Sequence, residues 1–411
     1  MDGLKIIDIR NVSGKKTNVL KYEKDSVLFS EEISDGDSSF FLVKKHEADS
    51  NITSEVYRHV IPPYEFYSQY IRFIENKIII LDKSDAHNLK IKILDGESFE
   101  IIKSVEYEFL GELTSIPIFI DERYILVHED IDDLQGDQYN KYSKQGLDYV
   151  MHLVDVNDMK TYIIEDIEFV KGVNVVHGGV GNLPLMKLDN RKIIIYNQTH
   201  MDDYEYEEDV YKAVKLGRIS RELIKSVEKI GYIDLKKFVE EVKDGISKLS
   251  IDTITENHVD GWVRLLDIND CKLIYREKNF QSQIEDVFEM DFSSFEKKKL
   301  FSINHEEITG RLIYDKEIYE EIEKNNRITI KGIFNCDYEV KFIARSNTHY
   351  LGCIDKKYIV SSRWFEDEND KYYEYVTIRD KKNNGVVDYA GDCKIFDNVI
   401  VIFDSTGFMN D

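Results

Sequence analysis

Histidine and carboxylate side chains recur together in polar segments of this 411-residue sequence. One segment places His128 two residues before Asp130, and another places His200 two residues before Asp202. A histidine beside a carboxylate can serve as an acid–base pair, and converging His and Asp side chains can bind a divalent ion. These four residues are the candidate catalytic residues, and hydrated surface loops are the structural alternative.

No motif in the sequence assigns a metal or a cofactor. The acidic run at 130–137 fails as a calcium loop, because Leu134 and Gln135 stand where an EF-hand needs a ligand and a glycine. The sequence also lacks a nucleophile elbow, an H-E-x-x-H pair and a kinase signature. It therefore predicts no cofactor and no metal site, and it does not decide whether the protein is an enzyme.

Two further segments contain candidate binding residues. Arg363 and Trp364 end an apolar stretch at a polar loop, and an exposed Trp-Arg pair is a typical contact for a partner or a sugar. A half-buried strand position is the alternative for this pair. His177 begins the glycine-rich loop 177–182, which lacks the following lysine and helix of a phosphate-binding loop. The glycines there indicate tight backbone, and His177 is retained as a binding candidate.

Strands must position these residues, since period-two alternation is the main pattern in the sequence. Residues 89–93 (LKIKI) alternate as expected for a strand with one buried face. A hairpin pattern also recurs, because 153–163 (LVDVNDMKTYI) and 265–275 (LLDINDCKLIY) are near-copies. The stretches 93–103 and 377–387 share its outline. One hairpin recurring along a chain predicts a repeat architecture.

The junctions between neighbouring apolar strands recur at a regular spacing. Asn76 and Asp121 lie 45 residues apart, and Asp355 and Asp397 lie 42 apart. A four-stranded propeller blade takes about 40–50 residues. In strand order, spacing and hairpin style the sequence resembles the β-propeller class, a likeness of pattern that names no family within the class. The resemblance implies an all-β fold, with 1–411 as a single domain.

The resemblance also implies a blade count and a way to close the ring. Seven blades are expected, with six as the alternative if 285–345 does not form a blade. The N-terminal and C-terminal strands would share one blade and so leave no open sheet edge. Loops between second and third strands would then emerge on one face, which would gather the candidate residues near His128, His200 and Trp364. His177 would line the mouth of the central channel.

A helical hairpin is predicted at 205–250, as an insertion within a blade loop. Its first helix would place Ile230 on an apolar face. Asp234 predicts the N-cap of the second helix. The apolar stripe of that helix would consist of Leu235, Phe238, Val239, Val242 and Ile246.

Composition limits the partners and the compartment. The formal charge of −24 predicts repulsion from nucleic acid and from anionic membrane surfaces. The four cysteines are scattered, and the N-terminus shows no signal peptide, so a reduced, cytoplasmic setting is expected. The expected partners are a protein or a small neutral or cationic ligand, and the sequence does not indicate an oligomeric state.

Two functions fit these features. The first is a binding or interaction module that uses one loop face and the helical insertion. The alternative is a propeller enzyme or carbohydrate-binding protein with a His/Asp site over the central channel. The second function requires His128, Asp130, His200 and Asp202 to lie within roughly 10 Å of one another.

Overall fold

The structure is a computed structural model, and it describes most of the chain. The described residues are 3–14, 17–35, 38–61, 71–83, 87–113, 117–130, 137–144, 147, 149–174, 185–188, 190–198, 216, 228–257, 261–269, 271–279, 282, 284–304, 312–314, 317–322, 327–332, 339–343, 348–354, 357–366, 372–380, 382–383 and 385–404.

Consecutive strands form a series of four-stranded sheets. The first three sheets consist of β2 (Thr17–Glu23), β3 (Ser26–Asp35), β4 (Ser38–Glu47) and β5 (Ile52–Ile61); β6 (Ile71–Ile74), β7 (Lys77–Lys83), β8 (Asn88–Asp95) and β9 (Ile101–Glu108); and β10 (Ile118–Phe119), β11 (Tyr124–Asp130), β12 (Tyr149–Asp155) and β13 (Lys160–Ile163). The next two consist of β14 (Leu185–Leu188), β15 (Arg191–Gln198), β16 (Glu228–Asp234) and β17 (Asp252–Asn257); and β18 (Gly261–Asn269), β19 (Lys272–Asn279), β20 (Ile284–Asp291) and β21 (Glu296–Asn304).

The C-terminal part continues in the same way. It contains β22 (Leu312–Tyr314), β23 (Glu317–Ile322), β24 (Arg327–Gly332) and β25 (Glu339–Ile343); then β26 (Thr348–Ile354), β27 (Tyr358–Glu366), β28 (Tyr372–Asp380) and β29 (Val386–Ala390). Within each sheet the strands follow chain order. This repetition of four-stranded sheets is the architecture of the β-propeller class, as the sequence predicts.

The first and last strands of the described chain share a further sheet. β1 (Lys5–Asp8) pairs in parallel with β31 (Val399–Phe403), and β31 pairs with β30 (Asp392–Phe396). This is the sharing of one sheet by the two chain ends that the sequence predicts. The expected blade count of seven included the shared blade, whereas the described residues form seven four-stranded sheets besides the three-stranded one. The blade count and the closure of a ring stay predictions.

The near-copy hairpins occupy different places in their sheets. The copy at 153–163 joins β12 to β13, the third and fourth strands, whereas the copy at 265–275 joins β18 to β19, the first and second. The hairpins at 93–103 and 377–387 also join third to fourth strands. The two near-copies are therefore similar turns and not equivalent positions of one repeat.

Three helices interrupt the strands in the described residues. They are α1 (Asp137–Ser143), α2 (Ile167–Asn174) and α3 (Leu235–Lys243). The carboxylate of Asp234 accepts hydrogen bonds from the backbone N–H groups of Lys236 and Lys237, which makes it the N-cap of α3 as the sequence predicts. None of the helices in the described part of the chain has the length and apolar character that crossing a membrane requires.

The predicted insertion at 205–250 is described at Leu216 and from Glu228 onward. Ile230, predicted to lie on a helical face, lies instead in β16, the third strand of its sheet. Sheet pairing with β15 and β17 overrides the helical spacing of the apolar residues there. β16 thus separates α3 from the first helix predicted within 205–250, and residues 205–215 and 217–227 lie outside the described residues.

The chain divides into two compact units, and each has its own apolar core. Unit 1 comprises 1–82, 92–104 and 309–411, and unit 2 comprises 83–91 and 105–308. Both cores are built from the buried central residues of strands; in β8 these are Leu89, Ile91 and Ile93, which confirms the period-two pattern. In unit 2 the core also includes Phe238 and Val239 of α3.

Candidate functional site

The end of β11 holds the two candidate catalytic residues that the structure describes. His128 and Asp130 both lie within this strand, although the sequence placed them in a loop. His128 is 3% exposed, and its ring packs edge-on against Tyr149 with the ring centroids 5.0 Å apart. A side chain enclosed in this way is a core residue and not a solvent-facing acid or base.

Glu129, between them, has the most contacts of the three. Its carboxylate is 1% exposed, and its Oε1 accepts hydrogen bonds of 2.8 Å from the backbone N–H groups of Leu110 and Gly111. Its Oε2 lies 2.6 Å from Nε2 of His152 in β12. These contacts satisfy the buried charge and fix the segment that leads from β9 to β10.

Position 111 requires a glycine, because the neighbouring backbone leaves no room for a side chain. A Cβ at position 111 would collide with the backbone oxygen of Asp130. Asp130 in turn donates its N–H to the oxygen of Glu112 at 2.7 Å. The 109–113 segment therefore lies directly against the end of β11, with its backbone held by a buried carboxylate.

The surroundings shift the acidities of these groups. Burial opposes the charged form of Glu129, but the hydrogen bonds from His152 and from the backbone at Gly111 and Leu110 outweigh it and hold the pKa of this carboxyl below its ordinary value. Burial, and then the charge of His152, lowers the pKa of His128 to about 4. At neutral pH the site therefore holds an ionised Glu129 and an uncharged His128.

The low pKa of His128 predicts a loss of stability in mild acid. An unfolded histidine binds its proton near pH 6.5, so the unfolded state is favoured as pH falls from 6.5 to about 4, by up to about 3 kcal/mol. His128→Asn should flatten the pH dependence of urea unfolding between pH 7 and 4.5. The same substitution at the exposed His87 is the control. If the stability of His128→Asn depended on pH as steeply as that of the original protein, His128 would not be the source of this pH dependence.

A buried carboxylate also occurs in the second strand of each of the two preceding sheets. A carboxylate is the sixth residue of the second strand in each case, namely Glu31 in β3, Asp82 in β7 and Glu129 in β11. Glu31, 1% exposed, pairs with Lys44 and accepts the backbone N–H of Gly14 at 2.7 Å. These three second strands thus share a pattern of apolar residues followed by one buried acid.

Asp82 belongs to a three-membered cluster in unit 1. Its Oδ2 lies 3.2 Å from Nε2 of His59 and 3.6 Å from Nζ of Lys92. Nζ of Lys92 also lies 3.1 Å from Nδ1 of His59, so each member contacts the other two. Tyr57 stacks on His59, and burial, followed by the charge of Asp82, raises the pKa of Tyr57 to about 12.

Several predicted site residues lie outside what the structure describes. His177, His200 and Asp202 fall in the ranges without described placement, so the proximity of the four candidate catalytic residues is untested. Arg363 and Trp364 lie in β27, where they pair with Tyr375 and Glu374 of β28. Within the described ranges, no group of three or more His, Cys, Asp or Glu side chains is arranged to hold a metal ion.

Sequence reasoning missed the residues with the most contacts. Glu129 lies between the two candidates in a polar segment of the sequence, and His152 lies in β12, between apolar residues of a strand. The available signal was the acid that follows the apolar residues of β3, β7 and β11, in VLFSE, IIILD and ILVHE. Nothing local in the sequence marks His152 as its partner.

A second network involves the turn of the first near-copy hairpin. Asp155, fully buried at the end of β12, accepts two hydrogen bonds of 2.8 Å from the guanidinium of Arg123 and one of 2.8 Å from Lys243, the last residue of α3. Its Oδ1 also accepts the backbone N–H groups of Asn157 and Asp158. Burial opposes its charge, but these donors hold the pKa of Asp155 below its ordinary value.

No protein-family model and no curated protein matches the sequence. Among solved structures, the chain is similar to an uncharacterized protein from Listeria monocytogenes EGD-e, with 11% identity, coverage of 93% of this chain and 96% of that chain, and a TM-score of 0.46. It is similar to the β-propeller domain of the Trilobed protease from Pyrococcus furiosus, with 10% identity, coverage of 91% and 97%, and a TM-score of 0.42. A third similar structure is an oligogalacturonate lyase in complex with manganese, with 10% identity, coverage of 89% and 85%, and a TM-score of 0.40. At these identities the likeness concerns the fold alone, and the repeated sheets described above are those of the β-propeller class.

Proposed function

We propose that the protein is a binding module that holds a partner on the loops at the ends of its second strands, together with the segment between β15 and β16. The observation that supports this most is at Leu110. Its side chain is 69% exposed, while its backbone N–H is held by the buried carboxylate of Glu129. An apolar side chain presented on a fixed backbone loses little conformational freedom on binding, which favours affinity.

The buried carboxylates of the second strands are engaged in a way that favours a binding role over a catalytic one. Glu129 is engaged by His152 and by two backbone N–H groups, and Glu31 by Lys44 and Gly14. Acids engaged in this way stabilise a rigid frame, and they are not presented to a substrate. The connections that follow β7, at 84–87, and β11, at 131–148 where α1 lies, differ in length, and variation of this kind on a rigid frame suits recognition.

The charge of −24 directs the choice of partner. A protein with basic surface, or a small neutral or cationic ligand, suits this charge better than nucleic acid or an anionic membrane. A cytoplasmic setting is part of the proposal, and the free thiols of Cys271 and Cys393 agree with a reducing compartment. Closure of the sheets into one ring through β1 and β31 is likewise proposed, on the basis of their parallel pairing.

The substitution Leu110→Asp tests whether the exposed side chain of Leu110 contacts the partner. Because Leu110 is exposed, the variant should melt within about 2 °C of the original protein, as surface substitutions do. It should nevertheless lose the partner that the unmodified protein captures from a cell extract, as measured by quantitative mass spectrometry. Met159→Asp is the matched control, because Met159 is 61% exposed but lies in the β12–β13 turn, at the other end of the strands. Equal capture by Leu110→Asp and the unmodified protein would refute the proposal.

The segment between β15 and β16 is tested separately. Replacing residues 202–224 by a scrambled sequence of the same composition leaves β15, β16 and α3 unchanged, since β15 ends at Gln198 and β16 begins at Glu228. We expect at least a tenfold loss of capture, or roughly 1.4 kcal/mol. Capture that tolerates the scrambled segment would limit the binding surface to the loops near Leu110.

One contact favours the alternative of an enzyme or carbohydrate-binding protein. Nε2 of His152 lies 2.6 Å from Glu129, and among the described residues its Nδ1 has no hydrogen-bond partner. A carboxylate that orients one imidazole nitrogen leaves the other for proton transfer, although Nδ1 of His152 is buried and a substrate would reach it only if the side chains around it moved. Hydrolysis of a glycoside by the purified protein, abolished in His152→Gln, would support this function. Hydrolysis that survives the substitution would remove the pair from the reaction.

A further inference from the structure

A cavity beside α3 differs in charge from the rest of the chain. Its volume is about 580 Å³, and we call it the α3 pocket. Its lining consists of Tyr124, Asn190, Arg191, Lys192, Asp234, Leu235, Lys236, Val239, Glu240 and Lys243. Small-molecule sites typically occupy about 300–1,000 Å³, so the pocket has the size of a ligand site.

The apolar part of the lining comes from three side chains. Tyr124 is half-buried, and Leu235 and Val239 of α3 are buried with their neighbours in the unit 2 core. α3 is held in place by its N-cap and by the hydrogen bond from Lys243 to Asp155. The apolar surface of the pocket is therefore formed before any ligand binds.

Two ammonium groups of the lining have fixed positions. Nζ of Lys192 lies 2.9 Å from Asp121, and Nζ of Lys243 lies 2.8 Å from Asp155. Burial opposes their charge, but the carboxylates outweigh it and raise the pKa of both lysines. Both lysines are therefore cationic at neutral pH, and the acids that hold them are not part of the lining.

The other two cations of the lining are exposed. Arg191 makes no hydrogen bond or ion pair within the described residues, and Lys236 faces Glu240 at 3.8 Å with both side chains largely in solvent. Of the two acids in the lining, Asp234 uses a carboxylate oxygen to cap α3. The lining thus contains four cationic side chains, of which Arg191 and Lys236 are accessible and weakly engaged. This local excess of positive charge contrasts with the net charge of −24 of the whole chain.

We propose that the α3 pocket binds a small organic anion with an apolar body. The anionic group would contact the guanidinium of Arg191 and the ammonium of Lys236, since charge-assisted hydrogen bonds are the strongest that a solvent-facing site can offer. The apolar body would contact Tyr124, Leu235 and Val239. The proposal goes beyond partner capture, because the pocket can be filled with no partner present and its lining includes neither Leu110 nor residues of the segment between β15 and β16.

Two fluorescent probes with the same apolar body test the proposal. 8-Anilinonaphthalene-1-sulfonate has an anionic group, and N-phenyl-1-naphthylamine has none. Fluorescence titration of the full chain should give an affinity for the sulfonate at least roughly tenfold above that for the neutral probe. Equal affinity for the two probes, or no saturable binding of the sulfonate, would overturn the proposal.

Charge reversal assigns the binding to this pocket. The double variant Arg191→Glu with Lys236→Glu should bind the sulfonate roughly tenfold more weakly, or worse, while the neutral probe is little affected. The charge-conserving double variant Arg191→Lys with Lys236→Arg should still bind the sulfonate more tightly than the neutral probe. Lys298→Glu reverses an exposed charge outside the lining and should leave the affinities for both probes unchanged. Sulfonate binding that is unaltered in the double variant would place the site elsewhere and overturn the proposal. Partner capture should be unchanged in the double variant, so the two proposals can fail independently.

Discussion

Glu129→Ala is expected to lower the free energy of unfolding by about 3–5 kcal/mol. The carboxylate is buried, and its removal leaves the N–H groups of Leu110 and Gly111 and the ring of His152 without their acceptor. The loss is a desolvation cost, because water has little access to these groups. Urea unfolding at pH 7, followed by circular dichroism, measures it.

Two further variants separate charge from hydrogen bonding at this position. Glu129→Gln keeps an oxygen that can accept from Leu110 and Gly111, and its amide can donate to an imidazole tautomer of His152, so we expect a smaller loss of about 1–2 kcal/mol. Glu112→Ala, an exposed acid in the adjacent segment, should change stability by less than about 0.5 kcal/mol. If Glu129→Ala behaves like Glu112→Ala, the strand-end carboxylate does not hold this segment.

Asp155→Ala is expected to lower the free energy of unfolding by about 2–4 kcal/mol. The side chain joins Arg123, the turn at Asn157 and Asp158, and the C-terminus of α3 through Lys243. The partly exposed cations can regain water after the substitution, which keeps the loss below that of a fully buried pair. Because the folded-state pKa of Asp155 is lowered, its stabilisation is complete at neutral pH and is lost only as pH falls below the ordinary carboxyl range.

Asp158 provides the matched control for Asp155. It lies 3.1 Å from Arg123 and 2.9 Å from Lys243, so it pairs with the same two cations, but its side chain is 45% exposed. Exposed ion pairs contribute about 0–1 kcal/mol, so Asp158→Ala should cost far less than Asp155→Ala. Equal losses in the two variants would show that burial of Asp155 is not the source of its contribution. Limited proteolysis within α3 should accelerate in Asp155→Ala alone.

Much of the fold could be predicted because strands with one buried face carry a period-two signal. The alternation at 89–93 indicates β8, and the junctions at Asn76 and Asp121 fall where β6 meets β7 and β10 meets β11. The segment Glu317–Ile322 forms β23. Its residues fit both periods, and pairing with β22 and β24 decides between them.

The candidate site was harder to predict, because its contacts join residues far apart in the sequence. The sequence pointed to the correct strand end, at His128 and Asp130, but the residue that holds the neighbouring backbone is Glu129. Its partners Gly111 and His152 come from other elements, and no local pattern connects them. Likewise, the Asn-Asp turn was recognised as a repeated hairpin, whereas its contact with Lys243 of α3 depends on tertiary packing.

The central claim is that the buried carboxylate of Glu129 holds a rigid surface for binding, and amide hydrogen exchange at Leu110 and Gly111 tests it most directly. Each of these N–H groups donates to Oε1 of Glu129, outside any strand. In the folded protein both amides should exchange at least a hundredfold more slowly than unstructured peptide, a protection of roughly 2.7 kcal/mol. This protection should disappear in Glu129→Ala. Exchange at the unstructured rate in the original protein would contradict the claim, because the segment that exposes Leu110 would then not be held.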